Sequence, residues 1–396
     1  MDKSVASVDT DANCNVACTG RLNVNCGGAA AVHIYTSQAD PFKRLIPSTV
    51  AYYDDFSRGM TQWTSSDGTF TVDDTGGLLA ASSDGGKSLL RTSYSDFSYE
   101  VDISFPSANA GDAGVIFRVG NVGTGEDMYQ GYYAGFGTSG NIYVGRISNG
   151  WNGLGSSTTT VQTGQPHHLK VRAIKAVIDV FVDDMSQPRL SVTDGTYPSG
   201  MNGVRVFRTD AIFDNVQLLP LQFFENFSQQ NMDSWIIYDG NFDASTGIAI
   251  AQLPDSDSGK AVVDGYLFTD FSFEADITIT NNGGDAGLIF RVSSPQPGVN
   301  SFNGYYAGFT NSFITIGSVD STTGWNELAW QFLSEFDASK TYRFKVQAKG
   351  TAISVFFDDM VVPKLKVDDS TYGTGMNGIR THQTYATFDN IEIYTM

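Results

Sequence analysis

Phe97-Ser98-Tyr99-Glu100-Val101-Asp102-Ile103-Ser104-Phe105 carries Phe, Tyr, Val, Ile and Phe at its odd positions and Ser, Glu, Asp and Ser at its even ones. A period of two sends alternate side chains to opposite faces of a pleated strand, so one face belongs to a core and the other is polar. Further along, Phe271-Ser-Phe-Glu-Ala-Asp-Ile277 repeats the pattern. The repetition extends outward: Gly111-Asp-Ala-Gly-Val-Ile-Phe-Arg-Val119 returns as Gly284 to Val292, and Gly131-Tyr-Tyr-Ala-Gly-Phe136 as Gly304 to Phe309. Gly150-Trp-Asn152 returns as Gly324 to Asn326, Gly200-Met-Asn-Gly203 as Gly375 to Gly378, and Phe213-Asp-Asn215 as Phe388 to Asn390. A unit of about 170 residues buries its own core, which makes the pair a tandem duplication and not a solenoid.

Similar alternation in Leu169 to Ile174 and Tyr342 to Gln347, with Asp-Gly, Asn-Gly and Gly-Gly turns between runs, predicts many short antiparallel strands. No window shows a helical stripe. The fold class expected is all-β, two tandem antiparallel β-sandwich (jelly-roll) domains. The expected boundaries are a Cys-containing segment at 1–38, a linker at 39–50, and jelly-roll domains at 51–220 and 221–396.

Composition narrows the partners. The 396 residues hold 24 Lys and Arg against 43 Asp and Glu, a net charge of −19. Nucleic-acid affinity draws on cations that displace counterions, so nucleic acid is excluded, and anionic membranes with it. No apolar run reaches the roughly 20 residues of a spanning helix. The three cysteines, Cys14, Cys18 and Cys26, crowd into the first 30 residues, an odd count that cannot complete a disulfide framework. The N-terminus is therefore read as truncated, its signal peptide lost.

The segment Cys14-Asn-Val-Ala-Cys18 to Cys26-Gly-Gly, followed by Val32-His-Ile-Tyr35, resembles the last third of a WSC domain, a module of fungal and related extracellular proteins associated with glucan binding. That resemblance implies an extracellular or cell-wall location and a fungal parent. The duplicated strings Gly-Asp-Ala-Gly, Gly-Tyr-Tyr-Ala-Gly-Phe, Gly-Trp-Asn and Phe-Asp-Asn resemble concanavalin A-like, laminin-G-like jelly rolls, and among them family 66 carbohydrate-binding modules and the 3-keto-disaccharide hydrolase domain. The resemblance implies extracellular carbohydrate binding, with fructans as one ligand and, from the WSC-like segment, wall glucans as another.

A sugar site needs aromatic rings for the apolar ring face, carboxylates to accept from hydroxyls and Arg to donate in a fork. Glu100, Asp102, Arg118, Tyr132, Tyr133 and Trp151 offer these types, with Arg118 placed on a neighbouring strand. Glu274, Asp276, Arg291, Tyr305, Tyr306 and Trp325 repeat them. Alternation allows only one tyrosine of each pair on the polar face, and a carboxylate–Arg pair also serves structure alone. The family 16 glycosidase pattern Glu-x-Asp-x-x-Glu is broken, since Phe105 and Ile279 stand where its last Glu belongs. Glu126 and Glu327, as third carboxylates, occupy non-equivalent positions, so no catalytic residue is assigned. The four histidines are unshared between repeats, and His167-His168 read as exposed strand-edge residues.

Related jelly rolls hold a structural Ca2+ between first and last strands. By that resemblance Asp54 or Asp55 would meet Asp214, and Glu225 or Asn226 would meet Asp389. Asn226-Phe-Ser228 is also a glycosylation sequon, and surface Asx turns explain the same acids. Non-catalytic carbohydrate binding is thus the expectation, with a glycoside or 3-keto-glycoside hydrolase as one alternative and a protein-binding adhesion module as another.

Overall fold

The computed structural model describes residues 50–396, apart from 83, 109, 253–256 and 281–283. The cysteine-rich WSC-like segment lies outside the described residues. Among those described every element is a strand, and no helix is long and apolar enough to cross a membrane. All strand pairings are antiparallel, and the chain forms two jelly-roll sandwiches, here the first and second lobes.

Each lobe has one seven-stranded sheet of its own. In the first lobe its order is Trp151–Thr158, Asn141–Ser148, Gln130–Gly137, Asp112–Gly120, Gly200–Phe207, Gly86–Tyr94 and Trp63–Asp67. In the second it is Gly324–Phe332, Phe313–Asp320, Asn303–Phe309, Asp285–Ser293, Met376–His382, Ser258–Val263 and Trp235–Asp239. The opposing layers are not separate. Strand Thr209–Glu225 pairs with Phe97–Ser104 through Ile212 to Pro220, then with the last strand, Ala386–Thr395, through Leu221 to Glu225. A single fifteen-stranded sheet therefore runs through both lobes.

The alternation of the opening segment fixes which way this sheet faces. Phe97, Tyr99, Val101 and Ile103 are fully buried in the first core with Phe117, Tyr132 and Val204, and Phe271, Phe273, Ala275 and Ile277 fill the second with Phe290 and Tyr305. Burying a side chain of this size contributes about 1.5–3 kcal/mol. The polar face is covered as well: Ser98, Ser272 and Glu274 are buried. The reason is that the shared sheet brings the polar faces of the two lobes against each other.

That contact is charged. Lys170 Nζ lies 3.7 Å from Glu100 and 3.5 Å from Glu274 of the other lobe. Arg172 pairs with Glu392 across the same boundary, and Arg343 sits 3.1 Å from Glu274, 3.2 Å from Asp276 and 3.1 Å from Glu392. An apolar cluster of Phe181, Met185, Phe356 and Met360 seals it.

Candidate functional site

The shared sheet takes the strand carboxylates out of contention as a simple open site. Glu274 is buried and committed to Arg343 and Lys170. Burial would raise Glu100, but Lys170 and the hydrogen bond from His168 hold it well below the usual carboxylate range. His168 is clasped between Asp102 Oδ1 at 2.6 Å and Glu100 Oε2 at 3.1 Å. Burial opposes its charge, yet the Asp102 and Glu100 hydrogen bonds outweigh that and push it up to about 9. His167 is buried with Nδ1 2.8 Å from Asp183. The two histidines are thus not the exposed edge residues that the sequence suggested, because the acids of the adjoining strand and turn draw both rings inward. Glu100 and His168 do line a groove of about 650 Å³ between the lobes, with Tyr53, Asp55, Gln217 and Lys345.

The two arginines are spent elsewhere too. Arg118 lies in the seven-stranded sheet, not on a strand neighbouring Glu100, at a bulge with φ 51°. Its buried guanidinium donates to Ser95 O and Lys175 O at 2.8 Å and to Asp96 at 3.1 Å, tying two turns together. Arg291 repeats this with Thr269 O and Tyr372 O. Tyr132 and Tyr305 point into the cores, each phenol donating to a turn carboxylate, Asp194 at 2.7 Å and Asp369 at 2.5 Å.

The remaining aromatics meet on the outward face of each seven-stranded sheet. Tyr133 turns outward, and its hydroxyl lies along the strand over Gly135, where a Cβ would approach to 2.2 Å, to reach Asp112. This is what the Tyr-Ala-Gly spacing provides. Trp151, 45% exposed, packs edge-on against Tyr133 with centroids 6.1 Å apart and covers Gly145, where a Cβ would fall 2.4 Å from the indole. Arg205 lies 4.6 Å above the Tyr133 ring, 3.4 Å from Asp112 and 3.1 Å from Asp127. Asp112, Glu126, Asp127, Tyr133, Tyr143, Trp151, Arg205 and Phe207 enclose about 290 Å³.

The second lobe rebuilds the motif. Tyr306 donates to Asp285 over Gly308, Trp325 packs on Tyr306 at 6.0 Å above Gly317, and Arg380 lies 4.0 Å over the Tyr306 ring and 3.0 Å from Asp285. The surroundings differ. Asp112 is raised by burial and by Asp127, which outweigh Arg205 and Tyr133. Burial also works against Asp285, but Arg380 and His382, whose Nδ1 is 3.4 Å away, bring it below the ordinary range. Glu126 is raised by burial and by Asp127.

Asp112, Arg205, Asp285 and Arg380 were not among the residues singled out from sequence. The signal was present: the Asp of Gly-Asp-Ala-Gly and the Arg two positions beyond Gly-Met-Asn-Gly occur in both repeats. Of the acids named for a cation, Asp214 is raised by burial and by Asp102 and Asp55, and Asp389 is pushed up to about 6 by burial, Asp276 and Glu225. Asp55 is exposed and caps its own turn through Ser57. Among the described residues no three His, Cys, Asp or Glu are grouped to hold a metal ion.

The sequence profile of the 3-keto-alpha-glucoside-1,2-lyase-like domain matches this chain twice, at residues 54–219 and 223–394. A levanase of Bacillus subtilis strain 168 is 26% identical over 168 residues, 41% of this chain and 23% of its own length. A levanase of Bacillus sp. strain L7 is 29% identical over 172 residues, 43% of this chain and 18% of its own. The chain thus spans about a fifth of the length of these relatives. The solved carbohydrate-binding module CBM66 of Bacillus subtilis is 26% identical, with 40% of this chain and 95% of that one aligned at a TM-score of 0.36. With both lobes matched along nearly their whole length, the chain belongs to the 3-keto-alpha-glucoside-1,2-lyase-like domain family.

Proposed function

We propose that the chain is a bivalent, non-catalytic carbohydrate-binding unit of an extracellular protein, and that each lobe binds sugar on the outward face of its seven-stranded sheet. The observation that carries the reading is the duplicated set of Trp, Tyr, Arg and Asp at Trp151, Tyr133, Arg205 and Asp112 and at Trp325, Tyr306, Arg380 and Asp285. An indole edge-packed on a phenol presents apolar area, while an Arg–Asp pair beside it offers donors and acceptors to hydroxyls. Relatives named levanase support a fructan as the first ligand to test. Titration of levan into the chain should give binding that the Trp151→Ala, Trp325→Ala double variant loses. Unchanged affinity in that variant would refute the placement.

A hydrolytic reading has one observation in its favour. Asp112 and Glu126, both raised, share the first-lobe cavity with Asp127, and a raised carboxyl is what a general acid requires. Against it, Val299 and Asn300 stand in the second lobe where Glu126 and Asp127 stand in the first, so the acids are not part of what was kept twice. Release of reducing sugar that a Glu126→Gln variant abolishes would establish hydrolysis instead. A Ca2+ joining first and last strands belongs to the proposal because a cation would offset the burial and neighbouring acids that raise Asp214 and Asp389. Its test is thermal unfolding with and without chelator, where an unchanged melt removes the ion.

A further inference from the structure

The second lobe carries aromatic surface that the first lacks. Its edge strand, Gly324–Phe332, pairs with Phe313–Asp320 so that Trp325 opposes Val319, Glu327 opposes Gly317, Trp330 opposes Thr315 and Phe332 opposes Phe313. Paired residues share a face, and Trp325 covers Gly317 on the outward one. Trp325, Glu327, Trp330 and Phe332 therefore stand in one outward row. Trp330 is 48% exposed and Phe332 69%, their rings edge-to-face at 4.8 Å. In the first lobe the positions facing Tyr143 and Asn141 are Ser156 and Thr158, and Gly153 takes the place of Glu327. There Tyr143 closes the cavity instead.

We infer that the second lobe binds an uncharged polysaccharide lengthwise, its chain running from Trp325 past Glu327 onto Trp330 and Phe332, a track that the first lobe lacks. The inference rests on the carbohydrate-binding reading above. Four residues along an antiparallel strand separate the partners of Trp325 and Trp330, about 14 Å at roughly 3.4 Å per residue, and two more reach Phe332. That span exceeds one sugar ring, so a ligand that touches Trp325 and the outer rings together has several residues. Three features point to such an occupant: the row continues the Tyr306–Trp325 site, Glu327 sits within it as a hydroxyl acceptor, and the net charge of −19 disfavours a polyanion.

The test uses the whole chain with fructose, short fructo-oligosaccharides and levan as probes, followed by calorimetry, and the Trp330→Ala, Phe332→Ala double variant. Affinity of the unaltered chain should rise with ligand length, and the variant should lose about tenfold for levan while binding of fructose and the shortest oligosaccharide stays the same. Both side chains are at the surface, so an unchanged melting temperature certifies the fold. Equal losses for short and long ligands, or none for levan, overturn the lengthwise track while leaving the sugar-binding reading intact. No binding of any probe by the unaltered chain overturns both. A variant that instead abolishes self-association of the chain would assign this row to a second copy and overturn the inference.

Discussion

Replacing Arg343 by Met should unbalance the contact between the lobes more than any other single change in it. The guanidinium is buried and meets Glu274 and Glu392 at 3.1 Å, Asp276 at 3.2 Å and Asn390 O at 2.8 Å. Its charge is stabilised well above the ordinary Arg range despite burial, chiefly by Glu392, Asp276 and Glu274. Removing one partner from a buried ion pair costs about 3–5 kcal/mol, because the carboxylates left behind are desolvated and uncompensated. Lys170 still serves Glu274 and Arg172 still serves Glu392, so the lower end, about 3 kcal/mol, is expected. Urea unfolding should show a corresponding fall in midpoint at unchanged slope. Adding Asp276→Asn and Glu392→Gln to Arg343→Met should recover most of the loss, since Lys170 then keeps Glu274, Arg172 keeps Asp179, and the two carboxylates that relied most on Arg343 are neutral. A single-variant loss below about 1 kcal/mol, or a triple variant no better than the single, would refute this account of the interface.

Three further outcomes follow from the geometry. The His168 pKa is raised from 6.5 to about 9, so the native state holds its proton more tightly than the unfolded chain. The resulting stability is complete below pH 6.5 and is lost as pH rises through about 9; up to about 3 kcal/mol is at stake, and His168→Gln should flatten the dependence of the urea midpoint over that window. Gly145→Ala would thrust a methyl into the Trp151 indole and meets no backbone atom as closely, so it should weaken sugar binding by the first lobe with little change in unfolding midpoint; retained affinity would show that this tryptophan is not the contact surface. Arg205→Lys and Arg380→Lys keep the charge but lose the planar fork, and each should lower sugar affinity about tenfold by calorimetry if the guanidinium grips hydroxyls.

Period-two alternation and the internal repeat were enough to read the sandwich class, because side-chain direction along a strand is a local property. What covers the polar face is not local. Glu100 and Asp102 read as solvent-facing grips for sugar, and only the pairing of Leu221–Glu225 with the last strand brings a second polar face against them. Arg118 and Arg205 show the same limit from the other side. Both are arginines of repeated motifs, yet a bulge at φ 51° turns Arg118 into the loops, while regular pairing of Arg205 with Gly114 leaves it on the outward face. The Trp151 and Tyr133 rings were named from their Gly-rich motifs, and the structure packs them against each other; Asp112 and Arg205, which lie beside them, come from strands distant in sequence.

The strand that serves both lobes also sets an order of events during synthesis. Ile212 to Pro220 can pair with Phe97–Ser104 as soon as they leave the ribosome, whereas Leu221 to Glu225 must wait for Ile391 to Tyr394 in the last strand of the second lobe. Until Ile391 to Tyr394 have been made, the emerging first lobe trails an unsatisfied edge bearing Phe223 and Phe224. Exposed strand edges recruit foreign strands, and nascent chains meet that hazard at synthesis rates of roughly 5–20 residues per second. A stop codon placed after the first lobe would make the delay permanent, so the shorter product is expected to aggregate where the two-lobed chain does not.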